Sequence, residues 1–155
     1  MSRAVFCERR AMHPLATRHG WLHDHRLRFD LPVGPGERGV ANVEPEPGAR
    51  THGVLYLLAP EDFDRLDWTE GVHLGVYRRV AVTVAVGDAE HLPAFTYRSS
   101  VSKPERKPSA RYMRLLLEGA AEQGLPPEYL RFLESFELAH DERVEAGAPA
   151  TPRDR

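Results

Sequence analysis

Residues 53 to 86, GVLYLLAPEDFDRLDWTEGVHLGVYRRVAVTVAV, change period twice, and the architecture follows from those two changes. Gly53-Val54-Leu55-Tyr56-Leu57-Leu58 is a continuous apolar run of strand length. Pro60 then stands where a first helical position needs no N–H, and Glu61 and Asp62 complement the positive end of a helix dipole. A short helix is therefore expected over PEDFDRLDW. Glu70 to Gly75 reads as a turn. Beyond it Val80, Val82, Val84 and Val86 fall on one face and Ala81, Thr83 and Ala85 on the other, the two-residue period of a strand.

Downstream, Gly87-Asp88 marks a turn, and Leu92 to Tyr97 can return as an antiparallel partner. The period then becomes helical. Tyr112, Leu115, Leu116 and Gly119 recur after Pro108-Ser109, and Tyr129, Phe132, Leu133 and Phe136 recur after Pro126-Pro127. Upstream the signals are weaker. Residues 1 to 11, MSRAVFCERRA, read as a helix with Ser2 near its start, and residues 16 to 30 as a strand pair turning near Gly20. Residues 31 to 50 hold four of the thirteen prolines and four of the twelve glycines. One strand over the apolar island Gly39 to Val43, set between loops, is expected there. Strands followed by helices indicate an α+β domain over residues 1 to 139, a curled sheet with helices outside, and residues 140 to 155 read as a disordered tail.

The chain's 155 residues suffice for a core without disulfides or a structural metal. Its 21 basic and 23 acidic residues are interspersed and leave a formal charge of -2, so there is no basic footprint for nucleic acid. Apolar runs fall far short of the roughly 20 residues that cross a bilayer, and no signal-peptide core is seen, so a cytoplasmic protein is expected. The lone Cys7 cannot form an internal bridge, which suits a reducing compartment.

Among local features, Trp68-Thr69-Glu70-Gly71-Val72 is the most suggestive. It places an acid between a helix end and a strand, beside a flexible glycine. A carboxylate in a partly apolar pocket can accept and return a proton near neutrality, although most loop glutamates are simply solvated. His19, His23 and His25 lie close in sequence, but their spacing lacks a zinc signature, and no metal or organic cofactor is expected. Arg9-Arg10 and Arg78-Arg79 read as solvated charge.

Three blocks together resemble the γ-glutamylcyclotransferase family: residues 53 to 84, then AFTYRS (94 to 99), then KPSARYMRLLLEGAAEQGLPPEYLRFLESFE (107 to 137). The resemblance rests on order and spacing: LD-x-x-EGV, a tyrosine seven residues after the glutamate, PS-x-x-Y, and GLP-x-x-Y. It implies a small mixed β-barrel with flanking helices. Glu70 is implied to be the general acid/base, and Tyr77, Tyr97 and Tyr112 to line the substrate pocket. The implied reaction converts a γ-glutamyl amino acid, peptide or amine into 5-oxoproline and the free amine.

The family's YGSN loop, implied to supply oxyanion donors, has no counterpart in the sequence, whose Met1-Ser2-Arg3-Ala4 is similar to the continuation of that motif. The resemblance thus implies a chain that begins within the substrate loop, with Met1 and Ser2 at the site and the first strand missing. Either translation begins further upstream or the segment has been lost. The alternative function is a non-catalytic small-molecule-binding or interaction domain that has lost this loop.

Overall fold

The computed structural model describes residues 3 to 140. Met1, Ser2 and all of the expected tail except His140 lie outside them. The chain forms a short π-type helical turn (Ala4–Arg9), β1 (Ala16–Pro32), β2 (Gly39–Leu57), α1 (Pro60–Thr69), β3 (Arg78–Val86), β4 (Glu90–Arg98), α2 (Ala110–Glu122) and α3 (Pro127–Glu134). The strands make one antiparallel sheet in the order β2-β1-β3-β4. This is an α+β fold, with a sheet that is open rather than closed into a barrel.

Two upstream expectations are corrected. Residues 16 to 32 form one strand, not a pair turning at Gly20. Gly20 instead marks the place where β1 meets β3 in a single registered pair, Trp21 with Ala85. A Cβ there would collide with the Ala85 carbonyl, so the glycine serves close approach rather than a turn. Likewise residues 39 to 57 form one long strand, paired with β1 from Ala16↔Leu57 to Pro32↔Gly39 with two register shifts. Pro45 and Pro47 are tolerated because β2 is an edge strand, where a missing N–H breaks no central ladder. At the first shift Asp24 adopts φ 54° and its carboxylate accepts from Gly48 N–H at 2.8 Å.

The edges of this sheet are joined by a side chain. Asn42 of β2 is 1 % exposed. It donates to the Ser99 carbonyl (3.2 Å) and accepts from Ser99 N–H (3.0 Å), just past the end of β4. The amide thereby imitates a strand pair between β2 and the residue after β4 and holds the sheet in its curl. On one side Leu27 and Phe29 pack with Met113, Ala120, Leu125, Tyr129 and Leu133, which seats α2 and α3. Ser109 caps α2 by accepting from Tyr112 N–H at 3.2 Å. A second cluster, Phe6, Met12, Leu58 and Leu66, packs the N-terminal turn against α1.

His52 lies in the first region, 6 % exposed, stacked on Trp21 at 4.4 Å, and its Nδ1 has no hydrogen-bond partner among the described residues. Burial first, then His19 and Arg50, push its pKa down to about 4, with Glu128 opposing. A group that titrates lower in the folded state is protonated first in the unfolded chain. Its stabilisation is therefore present above the ordinary value near 6.5 and lost as pH falls toward 4. Urea midpoints of the wild type are expected to fall more steeply over that window than those of His52→Gln; parallel pH profiles would refute this.

Candidate active site

Glu70 follows the last residue of α1, its N–H donating to the Leu66 carbonyl at 2.9 Å. Gly71 then takes φ 68°, where a Cβ would also stand 3.2 Å from Val76, and a 3-10 turn over Val72–Leu74 carries the chain away. This tight exit leaves the Glu70 side chain, 13 % exposed, on the wall of a cavity of about 810 Å³. Trp68, its neighbour in the motif, faces outward, 68 % exposed and stacked on His73. The aromatics of the cavity are other residues: Phe6, Tyr56, Phe63, Phe95 and the three tyrosines 77, 97 and 112.

All three of those tyrosines are thus brought to the cavity that holds Glu70, Tyr77 from the connection just before β3, Tyr97 from β4 and Tyr112 from α2. Tyr77 donates to the Ala41 carbonyl at 2.6 Å, Tyr112 accepts from Ala41 N–H at 3.2 Å, and Tyr97 donates to the Asp67 carboxylate. Burial, the largest cause in each case, pushes all three phenols well above their ordinary value. Tyr112 and Glu70 add to it at Tyr77, and the Asp67 hydrogen bond at Tyr97. They remain protonated at neutral pH, and each makes a hydrogen bond at the cavity wall.

One residue at the site was misread. Arg10, expected to be solvated, reaches into the cavity and pairs with Glu70, its side chain 25 % exposed. The backbone explains the aim. The π-type turn ends with Arg10 N–H donating to the Val5 carbonyl (3.2 Å), Ala11 takes φ 50°, and Met12 is wholly buried. Arg65 donates to the Ala11 carbonyl at 2.7 Å and pins the bend. A non-glycine residue at positive φ is sterically costly and persists only where its surroundings enforce it. The guanidinium also offsets the unfavourable placement of a carboxylate at the negative end of α1. Arg79 is likewise engaged, 3.5 Å from Asp67 and over the rings of Phe63 and Phe95.

Asn42 also lines the cavity and was not singled out, although a polar residue inside the apolar island Gly39 to Val43 was a readable signal. His19 meets His52 at 3.3 Å across the strands, whereas His25 turns to the His23 carbonyl. Among the described residues no three His, Cys, Asp or Glu side chains gather as a metal site, and no helix is long and apolar enough to cross a membrane.

Comparison with known proteins fits this geometry. A model of the AIG2-like family matches residues 50–133, which span the β2 end, α1, Glu70, the β3–β4 hairpin and most of the two C-terminal helices. The chain belongs to the AIG2-like family. This AIG2-like chain is 34 % identical over 143 residues to γ-glutamyl cyclotransferase gliK of Claviceps purpurea, covering 86 % of the chain and 64 % of the relative. It is 31 % identical over 120 residues to γ-glutamylcyclotransferase of Bos taurus, covering 75 % of the chain and 63 % of the relative. It therefore spans just under two thirds of the length of these relatives. Among solved structures, a γ-glutamyl cyclotransferase superposes with a TM-score of 0.75 at 24 % identity, covering 83 % of this chain and 80 % of the other. An uncharacterized protein from Homo sapiens superposes with the same TM-score at 26 % identity and the same coverage. The chain thus shares its fold with these solved structures.

Proposed function

We propose that this chain is a γ-glutamylcyclotransferase that converts a γ-glutamyl amino acid, peptide or amine into 5-oxoproline and the free amine. The observation that carries the reading is the cavity itself: one carboxylate, Glu70, set on a largely apolar wall among phenols held protonated. Its volume, about 810 Å³, lies in the range of small-molecule sites. The names of the relatives at 34 % and 31 % identity point to the same chemistry.

The reaction is internal to the substrate. The α-amine attacks the γ-carbonyl carbon, a C–N bond closes the five-membered lactam, and the original amide C–N bond breaks. Holding the γ-glutamyl chain curled supplies the proximity that dominates such closures. Glu70 takes a proton from the α-ammonium, which frees the nucleophile, and returns one to the departing nitrogen. Tyr77 and Tyr112, fixed on the two polar groups of Ala41, shape the wall against which the chain curls. No step in this scheme calls for a metal or organic cofactor.

The reading is tested by 5-oxoproline release from γ-glutamyl dipeptides and γ-glutamyl amines. Time-dependent release with stoichiometric free amine is expected. Ligand binding with no release would replace the enzyme with a binding domain of the same cavity.

A further inference from the structure

Among the described residues the cavity wall carries one cationic and one anionic side chain, and each is the other's partner: Arg10 and Glu70. The pocket is therefore electrically neutral when empty but holds two opposite charges a few ångströms apart. We propose that Arg10 is the seat of the substrate's α-carboxylate. On this view the zwitterionic head group replaces the Arg10–Glu70 pair with two new pairs, carboxylate on Arg10 and ammonium on Glu70. The assignment rests on the γ-glutamyl reading of the same cavity and adds to it the group that selects the head of the substrate.

Hydrogen-bond accounting at the wall supports it. The Tyr77 hydroxyl proton is committed to Ala41 and that of Tyr97 to Asp67. The Thr69 hydroxyl donates to Leu66, and the Asn42 amide donates to Glu44 and Ser99. Tyr112 accepts from Ala41 N–H and so keeps one hydroxyl proton, a single neutral donor. The guanidinium instead offers five donors in a planar fork suited to a carboxylate, and only its contact with Glu70 need be given up. Its position is also prepared. Ala11 at φ 50°, Met12 buried to 0 % exposure and the Arg65 clamp fix the backbone from which it projects.

Exchange of partners explains selection as well as binding. A ligand bearing only an ammonium would take Glu70 and leave Arg10 partly buried without a counter-ion; one bearing only a carboxylate would strand Glu70. Either outcome is costly, because an ion left unpaired out of water keeps its desolvation penalty. A zwitterion satisfies both at once, and its arrival releases Glu70 from Arg10 for proton transfer.

Binding can be read without turnover by using L-methionine sulfone, whose sulfone stands in for the reactive carbonyl, and its descarboxy counterpart 3-(methylsulfonyl)propylamine. Calorimetry on the wild type is expected to show the zwitterion bound at least about tenfold more tightly than the amine, the scale of one charge-assisted hydrogen bond. In Arg10→Gln that preference is expected to shrink to within about threefold. Arg10→Lys, which keeps the charge but loses the fork, should fall between. Melting curves for each variant establish that the fold is retained. A preference unchanged in both variants, or no binding of the sulfone by the wild type, overturns the assignment. A preference that depends on Arg10 with no 5-oxoproline release from any γ-glutamyl substrate would keep the carboxylate seat and remove the cyclisation. Release with the preference unchanged in the variants would do the reverse.

Discussion

Glu70→Gln is expected to lower kcat for 5-oxoproline release by about a thousandfold, within the range that positioned acid–base groups contribute. Glutamine keeps the shape and a carbonyl acceptor for Arg10 but cannot carry a proton either way. Both halves of the scheme fail together, since neither the ammonium is deprotonated nor the leaving amine protonated. The partnership with Arg10 adds a structural cost, because an ion pair becomes a single charge–dipole hydrogen bond. That loss is expected to be about 1 kcal/mol, or a few degrees in melting temperature for a domain of this size. Steady-state kinetics beside a thermal melt separates the two effects. Activity within tenfold of wild type in a folded Glu70→Gln would remove Glu70 from the reaction.

Asn42→Ala is expected to destabilise the fold by about 3 to 5 kcal/mol. The alanine would leave the Ser99 N–H and carbonyl without their Asn42 partners in a region where Asn42 is 1 % exposed and Ser99 is 3 % exposed. Each buried polar group stripped of its partner costs about 1 to 3 kcal/mol. Denaturant unfolding monitored by tryptophan fluorescence reads the loss directly. The site should suffer with it, because Ala41, the anchor of both Tyr77 and Tyr112, is the neighbouring residue on β2. A loss below about 1 kcal/mol would mean that water or a shifted strand replaces the amide, and that the curl of the sheet is held elsewhere.

The contrast between these two residues shows where sequence reading works. Glu70 was legible because its neighbourhood is local: a proline-started helix, a helix end, and a glycine in the left-handed region that turns the chain. The β3–β4 hairpin and the C-terminal helices were legible for the same reason, their periods being set by contacts within a few residues. Gly20 and the prolines of β2 misled because each residue type has two uses. Glycine permits a turn or a close approach, and proline interrupts a central strand but not an edge. Which use applies depends on the neighbour across the sheet, and that is information the local pattern does not contain.

What the sequence by itself determined is the α+β order of elements and the strand–helix–turn that delivers Glu70; the three tyrosines beside it were implied only by the family resemblance. The tertiary structure decided that the sheet stays open, that Asn42 bridges its edges, and that Arg10 enters the cavity. The last two rest on contacts separated by 57 and 60 residues along the chain. A side chain's partner at such a distance is set by how the whole sheet twists and where the N-terminal turn packs. A charged residue two positions after Glu8, at the end of a short helical turn, looks solvated until the bend at Ala11 is seen to aim it inward. Local periodicity places residues on faces; only the closed packing of those faces decides which charges meet.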